Sequence, residues 1–275
     1  MTNKQLSVTQ QRKLLLDSFK IREEIIDIAA TLTGCHIGGS LSITDLLNYS
    51  LELYGNNPLN EVILSKGHAA AALYAALFTK GILKEKPSLS YGIKGSLLLG
   101  HPNNELPGIP YSTGSLGHGI GYGAGWALGQ RLKQKEGIAV VLGGDGELQE
   151  GSVWEALQVI SSKQIHNLIY IIDRNQAQND GFLDNISEYY DLSARFKSFG
   201  FQVVEIDGHN FNNIHSAFQN KSANKALVII ADTVKGKGIR LMEGNPKSHY
   251  AKISVSQADK WKKQIKYQYE KNYLN

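Results

Sequence analysis

The stretch that decides the fold reads VVLGGDGE at residues 140–147, and a similar stretch, NLIYIIDRN, follows at residues 167–175. Both begin as apolar, β-branched runs and stop abruptly at small or acidic residues. This pattern is typical of buried parallel strands whose carboxyl ends open into a polar site. Asp145 and Asn175 therefore come just after two strand ends, and their side-chain oxygens are hard ligands that suit Mg²⁺ or Ca²⁺.

Glycines flank the aspartate of the first stretch. Gly144 and Gly146 carry no side chains that would keep an anion away from the backbone N–H groups there. Mg²⁺ takes few protein ligands when a phosphate supplies the others. The spacing therefore predicts a site that holds a metal ion together with a diphosphate.

The second half of the chain alternates regularly between strands and helices. We predict strands at residues 138–142, 167–172, 201–206 and 226–231, separated by helices at residues 152–163, 187–199 and 210–219. This alternation indicates an α/β fold with a doubly wound, mainly parallel sheet and helices on both faces. Open sheets of this kind bind ligands at the carboxyl ends of their strands, where the polar residues of this sequence fall.

The first half of the chain is richer in helices. Apolar residues at helical spacing predict a long first helix that ends at Gly34, further helices at 41–54 and 69–77, and a short strand at 61–65. Residues 112–132 are dense in glycine, and Gly117, Gly121 and Gly125 recur at fourfold spacing. On a helix these glycines would form a smooth face for close packing at an interface.

Composition favours a single large α/β domain. The chain has 275 residues, of which 42% are hydrophobic, enough to bury a sizeable core. We expect one domain over residues 1–275, with a solvated, amphipathic basic helix at 256–275. The formal charge is only +4, so nucleic-acid binding is not implied. Cys35 is the only cysteine, which excludes disulfide frameworks and cysteine-based zinc sites.

Several other classes of protein are disfavoured. The sequence has no signal-peptide segment and no apolar run of membrane length, so we expect a cytoplasmic protein with no membrane partner. It contains neither G-x-G-x-x-G nor G-x-x-x-x-G-K-[ST], which argues against a Rossmann dehydrogenase and a P-loop ATPase.

A series of motifs resembles the transketolase family of thiamine diphosphate enzymes, and more closely the short N-terminal subunits of split transketolases. The metal–diphosphate signature of the family is Gly-Asp-Gly followed later by Asn, and residues 144–146 with Asn175 satisfy it. The other matching segments follow in family order, at residues 34–42, 64–70, 100–102, 112–117, 144–151 with 154–156, 206–209 and 233–238.

The resemblance implies a site for thiamine diphosphate and Mg²⁺ (or Ca²⁺). Asp145 and the Asn175 side chain match the metal ligands, with the Ala177 carbonyl as a third. The cofactor-binding positions match contacts with the diphosphate and the aminopyrimidine ring, and they are His68, Gly114, Ser115, Leu116, Gly144, Asp145, Gly146 and Asn175.

His36, His101 and His249 match the family's histidines around the reacting carbon and the substrate hydroxyls. Imidazoles suit this position because their pKa lies near neutrality, where proton transfer to and from a sugar hydroxyl is efficient. The cofactor itself stabilises the carbanion, while the protein supplies binding, orientation and electrostatics. Glu150 and Glu155 match an acidic network between two thiamine sites at a subunit interface.

Some positions differ from the family. Ala177 and Asn179 stand where relatives commonly place bulky aliphatic residues beside the thiazolium ring. Tyr250 follows His249 where glycine is usual, and His118 stands where glutamine is usual. These differences leave open a transketolase that is specialised for sugars outside central pentose metabolism.

Other charged residues have plainer interpretations. We interpret Lys235 and Lys237 as covering the edge of the sheet. We interpret His209 as ordering its own turn and not as a substrate contact.

The resemblance implies that the chain transfers a two-carbon ketol unit from a ketose (phosphate) to an aldose (phosphate). In the family, a second domain across a subunit interface supplies a carboxylate and an aromatic wall to the aminopyrimidine. Because this sequence ends soon after the last predicted strand, we expect an α2β2 assembly with a C-terminal partner subunit. Two alternatives stay open: another thiamine diphosphate enzyme subunit, like 1-deoxyxylulose-phosphate synthase or a decarboxylase, and a non-catalytic scaffold subunit.

Overall fold

The computed structural model describes residues 5–178, 181–187 and 191–273, so the prediction for Asn179 lies outside the described residues. A five-stranded parallel sheet has the order β1-β2-β3-β7-β6. Its strands are β1 (Glu61–Leu64), β2 (Ala139–Gly144), β3 (Leu168–Arg174), β6 (Gln202–Asp207) and β7 (Leu227–Asp232). The short strands β4 (Ala177–Gln178) and β5 (Gly181–Phe182) pair antiparallel after β3. The predicted α/β fold is confirmed.

Helices cover both faces of the sheet, as the alternation of strand residues requires. On β2, Val140 and Leu142 point into one core and Val141 points into the other. The helices of the described chain are α1 (Val8–Ala29), α2 (Ile37–Tyr54), α3 (Ala70–Thr79), α4 (Gly119–Leu132), α5 (Gly151–Ser162), α6 (Leu192–Ser198), α7 (Phe211–Gln219) and α8 (Val255–Tyr273).

Two predicted helix boundaries are wrong, each for a local reason. Helix α2 begins at Ile37 and not at residue 41. Its first turn packs so closely that a Cβ atom on Gly38 would lie 2.1 Å from the Ser248 carbonyl oxygen. The helix predicted at 187–199 begins at Leu192, because the Asp191 side chain caps it; residues 188–190 lie outside the described residues.

The glycine-dense segment forms a shorter helix than predicted. Gly117 lies before α4 with a φ of +82°, so it belongs to a turn and not to the helix face. The glycines that pack against the sheet are Gly119 and Gly123, where a Cβ atom would collide with Ser65 and Val141. The rest of the predicted face is exposed, with open space in front of the α4 glycines at positions 121 and 125.

The C-terminal helix is not simply solvated. Ala258, Trp261 and Ile265 of α8 are buried in the core that α1 shares, although the lysines of the helix face outward. Tyr269 stacks on Phe19 of α1 with ring centroids 5.0 Å apart. The apolar face of this basic helix therefore closes the core. Among the described helices, none is long and apolar enough to cross a membrane.

Candidate active site

The candidate residues meet at the carboxyl ends of β1, β2, β3 and β7. The loops that follow these strands, with the start of α2 and the segment near residue 249, line a cavity of 270 Å³. Of the predicted site residues, those that line it are His68, Gly114, Leu116, Gly144, Asp145, Gly146, Asn175, Ala177 and His249. Ser115 is exposed and does not line the cavity.

Asp145 is held rigidly at the end of β2. It is 3% exposed, and its two carboxylate oxygens accept hydrogen bonds from the backbone N–H groups of Gly146 (2.8 Å) and Gln176 (2.6 Å). Gln176 adopts a φ of +60°, an unusual conformation for a residue with a side chain, and this turn aims its N–H at Asp145. Burial, and then the nearby Asp173 carboxylate, raise the pKa of Asp145 to about 7. A divalent cation beside Asp145 would favour its ionised form.

The ligand set around Asp145 suits a hard cation. The Asn175 side-chain oxygen accepts a hydrogen bond from the Ala177 N–H at 3.2 Å, and both residues line the cavity with Asp145. One carboxylate, one amide oxygen and one carbonyl leave coordination positions for phosphate oxygens, as Mg²⁺ prefers. Among the described residues, no three His, Cys, Asp or Glu side chains form a metal-binding group, so a site here depends on the amide and the carbonyl.

The two glycines beside Asp145 have N–H groups that donate to carboxylates of the chain itself: Gly144 to Glu147 (3.2 Å) and Gly146 to Asp145 (2.8 Å). The assignment of these N–H groups to an anionic ligand stays a prediction. What the glycines provide is space, since a Cβ atom on Gly146 would lie 3.3 Å from the Gln178 side chain.

Two buried lysines line the cavity, and the sequence analysis did not place either in the site. Lys66 is 1% exposed and pairs with the buried Asp173 carboxylate at 2.5 Å. Ser42 (2.6 Å) and Thr233 also donate hydrogen bonds to Asp173. The Lys66 charge is thus balanced within the protein, and Asp173 joins α2 to the ends of β1, β3 and β7.

Lys235 differs from Lys66 because it forms no ion pair with a carboxylate among the described residues, although Asp145 and Asp173 lie near enough to attract it. It is 2% exposed, and its Nζ donates to the carbonyls of Gln178 and Pro246, both at 3.1 Å. Burial, and then repulsion by Lys66, lower the pKa of Lys235 to about 8. The prediction that Lys235 only covers the sheet edge is wrong. A cation buried in this way fits an anionic ligand in the cavity.

Glu147 is a third residue of the cavity that was not predicted from the sequence. It is 2% exposed and accepts hydrogen bonds from Ser65 Oγ (2.5 Å) and from the N–H groups of Gly117 (2.8 Å) and Gly144 (3.2 Å). Burial raises the pKa of Glu147. Because it ties the 114–117 segment to the end of β2, Glu147 fixes one wall of the cavity. Its position two residues after Asp145 was the available signal.

Four histidines gather beside the cavity. The ring centroid of His36 lies 5.1 Å from that of His249, 5.8 Å from His68 and 6.0 Å from His101. His68 and His249 are 5.5 Å apart. Burial, followed by the charge of Lys66, places the pKa of His68 well below its ordinary value, and burial with repulsion by His101 lowers the pKa of His36. These surroundings therefore favour the neutral form of both rings.

Other singled-out residues lie away from the cavity. His209 Nδ1 donates to the Asp45 carboxylate (2.8 Å) and Nε2 accepts from the Val234 N–H (2.9 Å), so the ring joins α2 and the segment after β7 to its own turn. His118 is exposed and contacts the Ser115 carbonyl at 3.2 Å. The two acidic residues matched to an interface network, Glu150 and Glu155, are exposed.

Comparison with known proteins identifies the family. A family model described as "Transketolase, thiamine diphosphate binding domain" matches residues 21–274. The chain belongs to the transketolase family. This is the family that the sequence motifs resemble.

Relatives of similar length are named as subunits. The chain is 32% identical to an apulose-4-phosphate transketolase subunit of Phocaeicola vulgatus over 272 residues, which cover 95% of this chain and 97% of that protein. It is 33% identical to the 6-deoxy-6-sulfo-D-fructose transketolase subunit SqwG of a Clostridium species over 256 residues, which cover 89% and 93% of the two chains.

A solved transketolase has the same fold. The crystal structure of transketolase from Campylobacter jejuni superposes with a TM-score of 0.82 at 26% identity. The match covers 96% of this chain but 43% of the other. This chain therefore spans less than half the length of the solved transketolase.

Proposed function

We propose that this chain is the diphosphate-binding subunit of a two-component transketolase that uses thiamine diphosphate and Mg²⁺. It would transfer a two-carbon ketol unit from a ketose to an aldose, as one thiamine diphosphate domain over residues 1–275. The observation that carries the proposal is the lining of the cavity. It includes the oxygen ligands near Asp145, the buried Lys235 ammonium group, and His68 and His249 of the histidine cluster. A cytoplasmic location stays a prediction.

The residues of the cavity fit a metal ion and a diphosphate. Asp145, the Asn175 side chain and the Ala177 carbonyl would hold Mg²⁺. Lys235 and His68 would face the diphosphate, and the buried Lys235 charge would be neutralised by it. Gly114 and Leu116 would border the rest of the cofactor. When bound, thiamine diphosphate supplies stabilisation of the carbanion that develops as a C–C bond breaks.

The histidines supply the proton transfers that cleavage of a ketose requires. Burial lowers the pKa of His36, which favours the neutral ring with a nitrogen able to accept a proton. His101 and His249 would bind the sugar hydroxyls and hold or return protons at those oxygens. The ring centroids of His36 and His249 are 5.1 Å apart, and His249 lines the cavity. Both rings would therefore lie within reach of one bound sugar.

The named relatives suggest the kind of donor. Their names refer to apulose 4-phosphate and to 6-deoxy-6-sulfo-D-fructose. Because one name carries a phosphate and the other a sulfo group, we propose a ketose donor with an anionic group. The relatives are named as subunits, which supports a C-terminal partner that contributes to the site, and we propose an α2β2 assembly.

The test is product analysis with the chain and its partner, for which the product of a neighbouring gene is the first candidate. The mixture contains Mg²⁺, thiamine diphosphate and an aldose, with either ketose phosphates or pyruvate as donor. An aldose extended by two carbons, formed only from ketoses, supports the proposal. Release of CO₂ from pyruvate would support a synthase-like or decarboxylase-like enzyme.

A separate measurement addresses the scaffold alternative. Thiamine diphosphate is titrated calorimetrically into the chain, with and without the partner, in the presence of Mg²⁺. Binding that disappears when the metal is chelated supports a catalytic subunit. No binding under any of these conditions would leave the scaffold as the better interpretation.

A further inference from the structure

Tyr250 lies at the outer edge of the histidine cluster. Its ring centroid is 5.1 Å from that of His36, with the two ring planes at 86°. The residue is 50% exposed, whereas His36, His68 and His249 are half-buried. The Tyr250 ring therefore packs against His36 while half of its own surface stays open to solvent.

The position of this ring is fixed from two sides. The Tyr250 hydroxyl donates a hydrogen bond to the Thr33 carbonyl. The next residue, Ala251, exchanges two backbone hydrogen bonds with Cys35, both at 3.0 Å. The segments that carry Tyr250 and His36 are thus tied together on both sides of the ring. Because its hydroxyl proton is already donated, Tyr250 offers a flat apolar face and not a free proton donor.

His36 depends on these aromatic neighbours for its own orientation. Its Nδ1 is buried and has no hydrogen-bond partner among the described residues. Edge contacts from His249 and Tyr250, both at 5.1 Å, hold the ring instead. Of these three rings, His249 lines the cavity, His36 adjoins His249, and Tyr250 adjoins His36.

A sugar with its reacting carbon at the cavity would extend past His249 and His36 toward Tyr250. The first two carbons would lie among the histidines, and only carbons further along the chain would reach Tyr250. Aromatic rings pack favourably against the C–H groups of such a chain, because they bury apolar surface at little cost in conformational freedom.

We propose that Tyr250 is a specificity-determining residue that selects sugars by the length of the carbon chain beyond the reacting carbonyl. The inference rests on the proposed function, because the substrates are ketoses and aldoses. A two-carbon aldehyde ends before the ring, whereas a five-carbon aldose phosphate passes across its face. The ring therefore favours the longer acceptor.

The experiment compares two acceptors, glycolaldehyde and ribose 5-phosphate, at a saturating donor concentration in the complex of this chain with its partner. Tyr250→Ala should lower the ratio of kcat/KM for ribose 5-phosphate to that for glycolaldehyde by roughly three- to tenfold, mainly through KM. Tyr250→Phe keeps the ring and should stay within about twofold of the wild type. Tyr267→Ala removes a tyrosine that is 65% exposed on α8 and should change nothing.

The possible outcomes separate the inference from the function on which it rests. Equal losses for both acceptors in Tyr250→Ala would mean that the ring only supports His36, and would overturn the inference alone. Absence of transfer by the wild type would overturn the proposed function and this inference with it. Thiamine diphosphate affinity, measured by calorimetry, should be the same in all variants.

The ring contact can be checked without turnover. In histidine-labelled protein, the imidazole signals of His36, assigned with a His36→Gln variant, should shift in Tyr250→Ala because the ring current is lost. They should keep most of their positions in Tyr250→Phe. Unchanged His36 signals in Tyr250→Ala would contradict the geometry from which the proposal starts.

Discussion

At the scale of single residues, Asp145 and Lys235 carry opposite charges into the same cavity, and both are almost fully buried. Burial opposes ionisation of each group, so the pKa of Asp145 rises to about 7 and that of Lys235 falls to about 8. A metal ion beside the carboxylate and a diphosphate beside the ammonium would relieve both costs. We therefore expect Asp145 to matter chiefly for binding of the metal ion and Lys235 for binding of the diphosphate.

The first prediction concerns the metal ligands. Asp145→Ala should abolish Mg²⁺-dependent binding of thiamine diphosphate, because a side-chain ligand is lost and the diphosphate charge is left poorly compensated. Asn175→Ala should have a similar effect. Asp184→Ala, which removes an exposed carboxylate just after β5, is the control and should bind as the wild type does. Calorimetry decides, and unchanged affinity in both ligand variants would refute the metal assignment.

The second prediction concerns Lys235, where stability and binding should move in opposite directions. Lys235→Met should raise the free energy of unfolding of the ligand-free chain at pH 7 by about 1–3 kcal/mol, because a buried charge is replaced by an apolar group of similar length. The same variant should weaken thiamine diphosphate binding by roughly 10- to 100-fold. Chemical denaturation and calorimetry measure the two effects, and a stability loss with unchanged affinity would be the opposite of what we expect.

The pH dependence of Lys235 follows from the same burial. Its pKa is lowered from 10.5 to about 8 on folding, so between these values the unfolded chain holds a proton that the folded chain has released. The free energy of unfolding of the wild type is therefore highest, as far as Lys235 is concerned, above pH 10.5. This stability is lost as the pH falls through about 8. The difference in unfolding free energy between Lys235→Met and the wild type should therefore shrink as pH rises across this window.

The third prediction concerns the histidines that would handle substrate hydroxyls. His101→Ala and His249→Ala should each lower turnover by about 10²- to 10⁴-fold, the usual cost of a lost acid–base group. Thiamine diphosphate affinity should change little, most clearly for His101, which does not line the cavity. His215→Ala, outside the cluster and bonded to Tyr49, is a matched histidine control. Turnover that survives either cluster substitution would remove that histidine from the mechanism.

At this scale the sequence predicts residue positions better than it predicts electrostatics. Residues that follow strand ends, such as Asp145 and Asn175, could be placed because the carboxyl ends of parallel strands meet at one edge. The role of Lys235 could not, because a lysine in a polar segment shows no sign of burial in the sequence. The sequence also does not show that the N–H groups of Gly144 and Gly146 donate to carboxylates of the chain itself.

At the scale of secondary structure, α4 has two glycine faces with different surroundings. A Cβ atom on Gly123 would lie 2.5 Å from a Val141 methyl group, whereas Gly125 has nothing within 4 Å. The periodicity of glycine predicted a face for close packing but could not distinguish these positions, since a spacing of four fits several registers of one helix. Contacts with the sheet decide which register faces inward.

The fourth prediction separates these two faces. Gly125→Ala should stabilise the chain by about 0.5–1 kcal/mol, since it removes backbone freedom and meets open space. Gly123→Ala should destabilise the chain, because its Cβ atom would collide with the sheet. Gly125→Leu tests the interface: if two copies meet at this face, the variant should dissociate in analytical ultracentrifugation while its fold is retained. Association as strong as in the wild type would show that self-association uses another surface.

Boundary errors at this scale have local causes. The start of α2 was placed at residue 41 because Gly38 and Gly39 are poor helix formers, yet close contact with Ser248 requires glycine at position 38. The C-terminal helix has mostly polar residues, so its role in the core depends on three residues, Ala258, Trp261 and Ile265. Their helical spacing was visible, but the surface that receives them was not.

At the scale of the whole molecule, the described chain contributes one side of the proposed site. The cavity would hold metal and diphosphate, and Tyr250 packs against His36 of the histidine cluster. None of the described residues that line the cavity supplies the aromatic wall that the aminopyrimidine ring requires. We therefore expect the chain alone to bind thiamine diphosphate weakly, and the partner to complete the site.

The most direct test measures ketol transfer from a ketose phosphate to an aldose while each component is omitted in turn. We predict transfer when this chain, the partner, thiamine diphosphate and Mg²⁺ are all present. Transfer should be lost when any one of them is missing or when Asp145→Ala replaces the wild type. Full-rate transfer by this chain without the partner, or no transfer by a complex that binds the cofactor, would contradict the proposed function.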